Sequence, residues 1–193
     1  MGKLFYIMGK SASGKDTIYQ RLLRNPEFSL ERLVIYTTRP IRDGELDGRE
    51  YHFVTEEDFQ KLKAEGKIIE DRGYETVYGL WRYFTADNMN LEEKSYLGIG
   101  TLESYEKLKA YYGEEKIRPI YIEVEDGERL SRALNRERMQ ESPKYEELCR
   151  RFLSDAKDFS GEKLKEAGIT RRFVNQDLDE TEEEIRRAIL EDR

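Results

Sequence analysis

The stretch Leu4-Phe5-Tyr6-Ile7-Met8-Gly9-Lys10-Ser11-Ala12-Ser13-Gly14-Lys15-Asp16-Thr17 decides how this chain is read. Its apolar first five residues read as a buried strand, which runs into a glycine-rich turn and then a helix. That arrangement aims successive backbone N–H groups and a helix N-terminus at one point, where an anion is favoured. Gly9 and Gly14 permit the tight backbone, and Lys15 brings a point charge to terminal phosphates. Gly9, Ser11, Ala12, Ser13, Gly14, Lys15, Asp16 and Thr17 are therefore the candidate phosphate-binding loop. The pattern G-x-x-x-x-G-K-[ST] breaks once, because Asp16 stands where a hydroxyl residue is expected and Thr17 follows it.

Outward from this loop, 193 residues suffice for one α/β domain with its own core and room for a mobile insertion. Charged residues make up 39% of the chain and hydrophobic ones 37%, with 13 Tyr and 8 Phe to build cores, so the composition is polar without being that of a disordered chain. A run of 18 apolar residues is lacking, and Gly9 and Lys10 interrupt the first strand, so neither a membrane span nor a secretory signal is read and a cytoplasmic protein is expected. Cys149 is the single cysteine and excludes an intrachain disulfide or cysteine metal site. His52, the single histidine, reads as structural. A net charge of −7 argues against a nucleic-acid binder. Positive charge concentrates instead at Arg129, Arg132, Arg136, Arg138, Lys144, Arg150 and Arg151, which by spacing alone read as solvated helix faces balanced by Glu128, Glu137 and Glu147.

The chain alternates strand and helix. Lys3–Met8, Leu33–Thr37, Ser95–Ile99, Pro119–Val124 and Arg172–Asn175 read as strands of a buried parallel sheet. Helices are expected over Lys15–Arg24, Leu102–Tyr112, Glu128–Met139, Tyr145–Phe159 and Thr181–Leu190. Right-handed crossovers then place helices on both faces of the sheet. From about Pro40 to Asn90 the alternation is interrupted by a segment with its own elements: a strand at Glu50–Val54, a capping-box-like start at Thr55-Glu56-Glu57-Asp58 to a helix through Ala64, and weak strands at Lys67–Glu70 and Val77–Thr85. An insertion of that size in a compact α/β core reads as a second substrate's binding region.

Within the interruption, Thr37-Thr38-Arg39-Pro40-Ile41-Arg42-Asp43-Gly44-Glu45-Leu46-Asp47-Gly48-Arg49-Glu50-Tyr51-His52-Phe53-Val54 resembles the signature segment of the guanylate kinase family, with Thr37, Thr38, Arg39, Arg42, Glu45, Gly48, Tyr51 and Phe53 at that family's spacing. The likeness runs from the phosphate loop to Asn175. It implies a P-loop NTPase three-layer sandwich around a parallel five-stranded sheet, with a core over about residues 1–36, 91–127 and 157–193, a monophosphate-binding insertion over about 37–90 and a lid over about 128–156. It also implies Mg²⁺-assisted transfer of one phosphoryl group from ATP to GMP.

Arg39 and Arg42 offer planar forks for a monophosphate dianion, and the hydroxyls of Tyr51 and Tyr78 stand where the family's tyrosines hold the same phosphate. Guanine recognition falls on Glu70, whose family counterpart accepts from the base's ring N–H and exocyclic amine. Taken singly, each arginine reads equally well as a surface ion pair with Asp43, Glu45 or Asp47, and Glu70 as a solvated strand end. The resemblance places Arg132, Arg136 and Arg151 where lid arginines meet the transferring phosphate, beside Lys15 as the catalytic set, and Asn175 on the adenine side. Asp16 and Thr17 are the candidate magnesium residues, with Asp16 reading alternatively as a favourable first-turn acid. The chain departs from the family at Gly98 and Gly100, where an acidic pair is usual, and at Ile35 and Leu80, where hydroxyls are. Two alternatives stay open: a same-fold kinase with another monophosphate or phosphorylated metabolite as acceptor, and a catalytically weak binding module.

Overall fold

The computed structural model describes residues 2–76 and 78–192. The first strand, β1 (Leu4–Met8), is buried on both faces. Successive side chains of a strand point opposite ways, and β1 accordingly feeds two cores. Leu4, Tyr6 and Met8 pack with Leu102, Tyr105, Leu108, Leu164 and Ile169. Phe5 and Ile7 pack with Ile18, Leu22, Phe173, Ile185 and Ile189.

Helix α1 (Lys15–Arg24) follows the loop with the expected bounds and buries Ile18, Tyr19 and Leu22 against the second core. The chain continues through β2 (Glu31–Arg32), β3 (Tyr36–Thr37), β4 (His52–Phe53), α2 (Glu56–Ala64), β5 (Ile68–Thr76), β6 (Gly79–Ala86), β7 (Tyr96–Ile99), α3 (Leu102–Tyr112), β8 (Ile117–Glu123), α4 (Asp126–Arg138), α5 (Tyr145–Asp158), α6 (Gly161–Glu166), β9 (Phe173–Val174) and α7 (Leu178–Glu191). The main sheet has the order β2-β7-β1-β8-β9, and every pairing in it is parallel. Helices α1 and α7 cover one face while α3 and α6 cover the other, which gives the three-layer α/β sandwich. Because β7 and β8 flank β1 on opposite sides, connections leave β1 in both directions, and a crevice opens at its carboxyl end.

The expected strand Leu33–Thr37 is divided between two sheets. Glu31–Arg32 pairs with β7, and Leu33 N–H still donates to Leu97 O at 2.9 Å. Tyr36–Thr37 instead joins a second sheet of order β4-β3-β6-β5. The expected core boundary at residue 36 thus falls one residue inside the insertion. Val77, where one weak strand was expected to begin, lies outside the described residues, and β6 starts at Gly79. The second sheet has its own small core of Phe59, Phe84 and Ala86, with Phe59 edge-on to Phe84 at 5.0 Å. Its helix α2 begins at a complete capping box: Asp58 N–H donates to Thr55 Oγ1 at 3.1 Å and Thr55 N–H donates to Asp58 Oδ2 at 3.0 Å. His52 packs with its ring centroid 4.6 Å from that of Tyr36. None of the described helices is long and apolar enough to cross a membrane.

Candidate active site

The loop after β1 is locked from two sides. Ala12 adopts φ 64° and Gly14 φ 85°, so the backbone bends through conformations that turn its N–H groups inward. Gly14 cannot be enlarged in place, since a Cβ there would lie 2.4 Å from Asn175 Nδ2. That same Asn175 nitrogen donates to Ser13 O at 2.8 Å, and Asn175 is 2% exposed. As N-cap of α1, Gly14 supplies no side-chain oxygen to the first-turn amides, which face the crevice with their positive dipole end. Lys15 Nζ sits 3.0 Å from Asp16 Oδ2, so the departure at position 16 gives Lys15 an exposed carboxylate partner.

A cavity of about 380 Å³ brings Gly14 and Thr17 of the loop together with Arg132 and Arg136 of α4 and with Asn175. Arg132 donates to Glu128 at 3.0 Å and reaches Asn175 O at 3.3 Å. Arg136 is exposed at the cavity wall. Arg151 is exposed on α5, 3.5 Å from Glu147, and lines a small pocket with Ser11 and Arg136. Arg132, Arg150 and Arg151 keep ion pairs on the helix surfaces with Glu128 and Glu147, whereas Arg129 and Glu137 depart from the expected solvated faces, being 1% and 4% exposed.

Beneath these arginines Arg129, which by spacing reads as part of a solvated helix face, is buried in a junction instead. Arg129 is 1% exposed and donates to Ser11 O (3.3 Å), Asp155 Oδ2 (3.1 Å) and Asp126 Oδ1 (3.0 Å), with its guanidinium 4.1 Å over the Phe152 ring. Asp155 Oδ2 also accepts from Ser11 N–H at 2.7 Å. Lys10 Nζ adds a contact to Asp126 at 3.2 Å. Helices α4 and α5 are thus both bolted at their bases to the loop after β1. At the far end, buried Glu137 accepts from Lys144 N–H at 2.6 Å and closes the connection between them.

A second cavity, of about 480 Å³, opens between the two sheets and is lined by Ile35, Tyr51, Arg72, Trp81, Tyr83 and Gly100 among others. Of the residues expected here, Tyr51 lines the cavity, edge-on to Tyr83 at 5.6 Å. Glu70 is 4% exposed beneath the wall; its Oε1 accepts from Thr85 Oγ1 at 2.9 Å and its Oε2 lies 3.3 Å from Arg72 Nε. It is a buried, partnered carboxylate, not a solvated strand end. The structure differs from expectation at Arg39, whose fork is closed on Glu45 at 2.6 and 2.8 Å while its guanidinium lies 5.2 Å over Tyr51. That pair holds the Glu45 carboxyl down at about 2, chiefly through the Arg39 hydrogen bonds. Arg42 is exposed, and its backbone N–H donates to the same Glu45 at 2.9 Å. Tyr78 is 81% exposed at the hairpin tip, stacked on Trp81, and does not line the cavity.

Gly98 and Gly100 have a physical reason. A Cβ at Gly100 would sit 2.1 Å from Tyr6 Oη, and one at Gly98 would sit 2.6 Å from the Tyr6 ring. The buried Tyr6 side chain fills the space that side chains at both positions would need, and burial followed by the nearby Glu70 charge pushes its hydroxyl well above the usual tyrosine range. Among the described residues, no cluster of three or more His, Cys, Asp or Glu side chains gathers as a metal cage.

Both cavities open at the carboxyl edge of the main sheet, one through the residues after β1 and β9 and the other through those after β7. A glycine-rich loop bordering one cavity, with a second cavity separate from it across the crevice, is the arrangement of a nucleoside monophosphate kinase, a phosphotransferase. The chain belongs to the guanylate kinase family, whose model matches residues 1–192. It is 30% identical to the guanylate kinase of Porphyromonas gingivalis over 99% of this chain and 98% of that protein. It is likewise 30% identical to the guanylate kinase of Wolbachia pipientis wMel, over 100% of this chain and 91% of that one. The crystal structure of guanylate kinase from Anaplasma phagocytophilum superposes with a TM-score of 0.62 at 25% identity, covering 98% of this chain and 85% of that chain.

Proposed function

We propose that this chain transfers the terminal phosphoryl group of ATP to GMP, giving ADP and GDP. The observation that carries the reading is the cavity in which Gly14 and Thr17 of the loop meet Arg132, Arg136 and Asn175, in a chain matched to the guanylate kinase family over nearly its whole length. Phosphoryl transfer asks little covalent chemistry of a protein, so positioning and positive charge do most of the work. The loop amides and Lys15 take the donor phosphates. Arg132, Arg136 and Arg151 stabilise charge on the transferring group once the lid settles over it, and closure keeps water from intercepting that group. On the acceptor side Tyr51 and Arg42 take the monophosphate. Arg39, committed to Glu45, orients Tyr51 from beneath. Glu70 selects guanine by accepting from the base's ring N–H and amine, a donor pair that adenine does not offer on that edge.

Thr17 and Asp16 are hard oxygen donors on the first turn of α1, and Mg²⁺ commonly takes one or two such oxygens together with substrate phosphates and water, so the donor set fits that ion. Bound there with the nucleotide, it would neutralise phosphate charge. The reading is tested by coupled ADP release over a panel of nucleoside monophosphates. GMP is expected to give the highest kcat/KM, and equal or greater turnover of another monophosphate would replace GMP as the acceptor.

A further inference from the structure

Guanine presents a donor pair, N1–H and N2–H, directly beside an acceptor, O6, with N7 next along the edge. Glu70 answers the donors only. A buried carbonyl acceptor without a donor costs free energy comparable to a lost hydrogen bond, and the usual hydroxyl positions of the pocket hold Ile35 and Leu80. The donor must also stand beside Glu70, because O6 stands beside N1–H.

Arg72 occupies that place. It lies two residues along β5 from Glu70, hence on the same face of the strand. Its Nε is 3.3 Å from Glu70 Oε2, and it is the one charged side chain among those lining the 480 Å³ cavity. The Nε is buried and, among the described residues, has no hydrogen-bond partner. The rest of the wall is largely aromatic, with Tyr51, Trp81 and Tyr83 offering ring faces and edges to a planar base. Gly98 and Gly100 carry no side chain toward the cavity and Tyr6 fills the space beside them, while the acids Glu103 and Glu106 of α3 share with Arg72 a separate cavity on its other side.

Resting on the GMP reading above, we infer that Arg72 is a second base-reading residue, its guanidinium donating to O6 and N7 of guanine while Glu70 accepts from N1–H and N2–H. A guanidinium fork matches O6 and N7 of guanine in a bidentate manner, whereas adenine places an amine donor where O6 would be. Arg72 therefore attracts guanine and repels adenine at a single position.

The test uses the full chain with ATP and four acceptors, GMP, 7-deaza-GMP, IMP and AMP, in the wild type, Arg72→Met and Arg72→Lys. In the wild type, 7-deaza-GMP, which lacks the N7 acceptor, is expected to show a KM several-fold above that of GMP. Arg72→Met is expected to raise the GMP KM about tenfold or more, with kcat changed less, and to erase the difference between GMP and 7-deaza-GMP. Arg72→Lys keeps the charge beside Glu70 but not the fork, so it is expected to fold like the wild type and still lose most of that difference. An Arg72 that merely neutralises Glu70 would raise the KM of GMP and its deaza analogue by the same factor in Arg72→Met and leave Arg72→Lys unaffected; either result overturns the inference. Equal KM values for GMP and 7-deaza-GMP in the wild type overturn it without any variant. If the wild type fails to phosphorylate GMP at all, the acceptor reading itself falls, and that outcome is distinguishable because it appears in the wild-type arm alone.

Discussion

Replacing Arg129 by Met keeps an unbranched side chain but removes the charge on which the junction of α4, α5 and the loop after β1 is built. Its partners are unequal. Asp126 is half exposed, at 51%, so that arm is an ordinary surface pair worth about 0–1 kcal/mol. Asp155 is 16% exposed and Arg129 is 1% exposed, and breaking a largely buried pair by removing one member costs about 3–5 kcal/mol because the other charge is left uncompensated. The contact over Phe152 and the bond to Ser11 O are lost in the same step and belong to that figure rather than adding to it. Arg129→Met is therefore expected to lower the unfolding free energy by about 3–5 kcal/mol, or Tm by about 6–20 °C for a chain of this length. Asp126→Ala is expected to cost less than about 1 kcal/mol. Pairing Arg129→Met with Asp155→Leu removes both charges and is expected to recover about 2 kcal/mol or more of the loss. Urea titrations of the wild type, Arg129→Met, Asp155→Leu and the double variant give the cycle, with Asp126→Ala measured beside them. A loss below about 1 kcal/mol for Arg129→Met, or strict additivity in the double variant, would refute the claim that this junction anchors α4 and α5 to the loop.

Three further outcomes follow from the geometry. Gly100→Ala forces a Cβ to within 2.1 Å of Tyr6 Oη and is expected to destabilise the fold by about 1–3 kcal/mol, a loss that Tyr6→Phe in the same chain relieves in part; thermal melts that show no loss for Gly100→Ala would remove the packing account of that glycine. Because the Glu45 carboxyl is held at about 2 against an ordinary 4.5, the unfolded chain binds the extra proton, and this stabilisation is complete above pH 4.5 and disappears as pH falls toward 2. The stability gap between wild type and Glu45→Gln is thus expected to narrow as urea titrations move from pH 6 to pH 3. Asp16→Ala is expected to raise the magnesium concentration needed for half-maximal activity while improving binding of metal-free ATP; an unchanged magnesium dependence, with a stability loss of about 1 kcal/mol or less, assigns Asp16 to the helix terminus alone.

Local signals in the sequence carried much of this structure. The glycine-rich loop and the apolar face of the following helix located β1 and α1, and Thr101 and Gly113 frame α3 with the expected bounds. Asp177 caps α7 through the N–H groups of Asp179 and Glu180, so that helix begins at Leu178 rather than at Thr181. Leu33-Val34-Ile35-Tyr36-Thr37 is one unbroken apolar run, and periodicity alone holds nothing that divides it between two sheets. Helix α6 went unread because six residues give too little pattern, although Ser160 caps it. The Arg129–Asp155 bond joins residues 26 apart whose neighbours look like any charged helix surface. Arg72 was open to reading, since it shares a strand face with Glu70, but only the fold shows that this face borders the cavity.

The central claim, that the loop after β1 hands a phosphoryl group from ATP to GMP, is tested most directly by following phosphorus. With γ-labelled ATP, GMP and magnesium, the wild-type chain is expected to move label into GDP, and Lys15→Ala, verified as folded by circular dichroism, is expected to retain less than about a tenth of that rate, since losing this charge withdraws several kcal/mol from the transition state. Label that remains in ATP or appears only as inorganic phosphate with the wild type, or in GDP at an undiminished rate with a folded Lys15→Ala, would contradict the account.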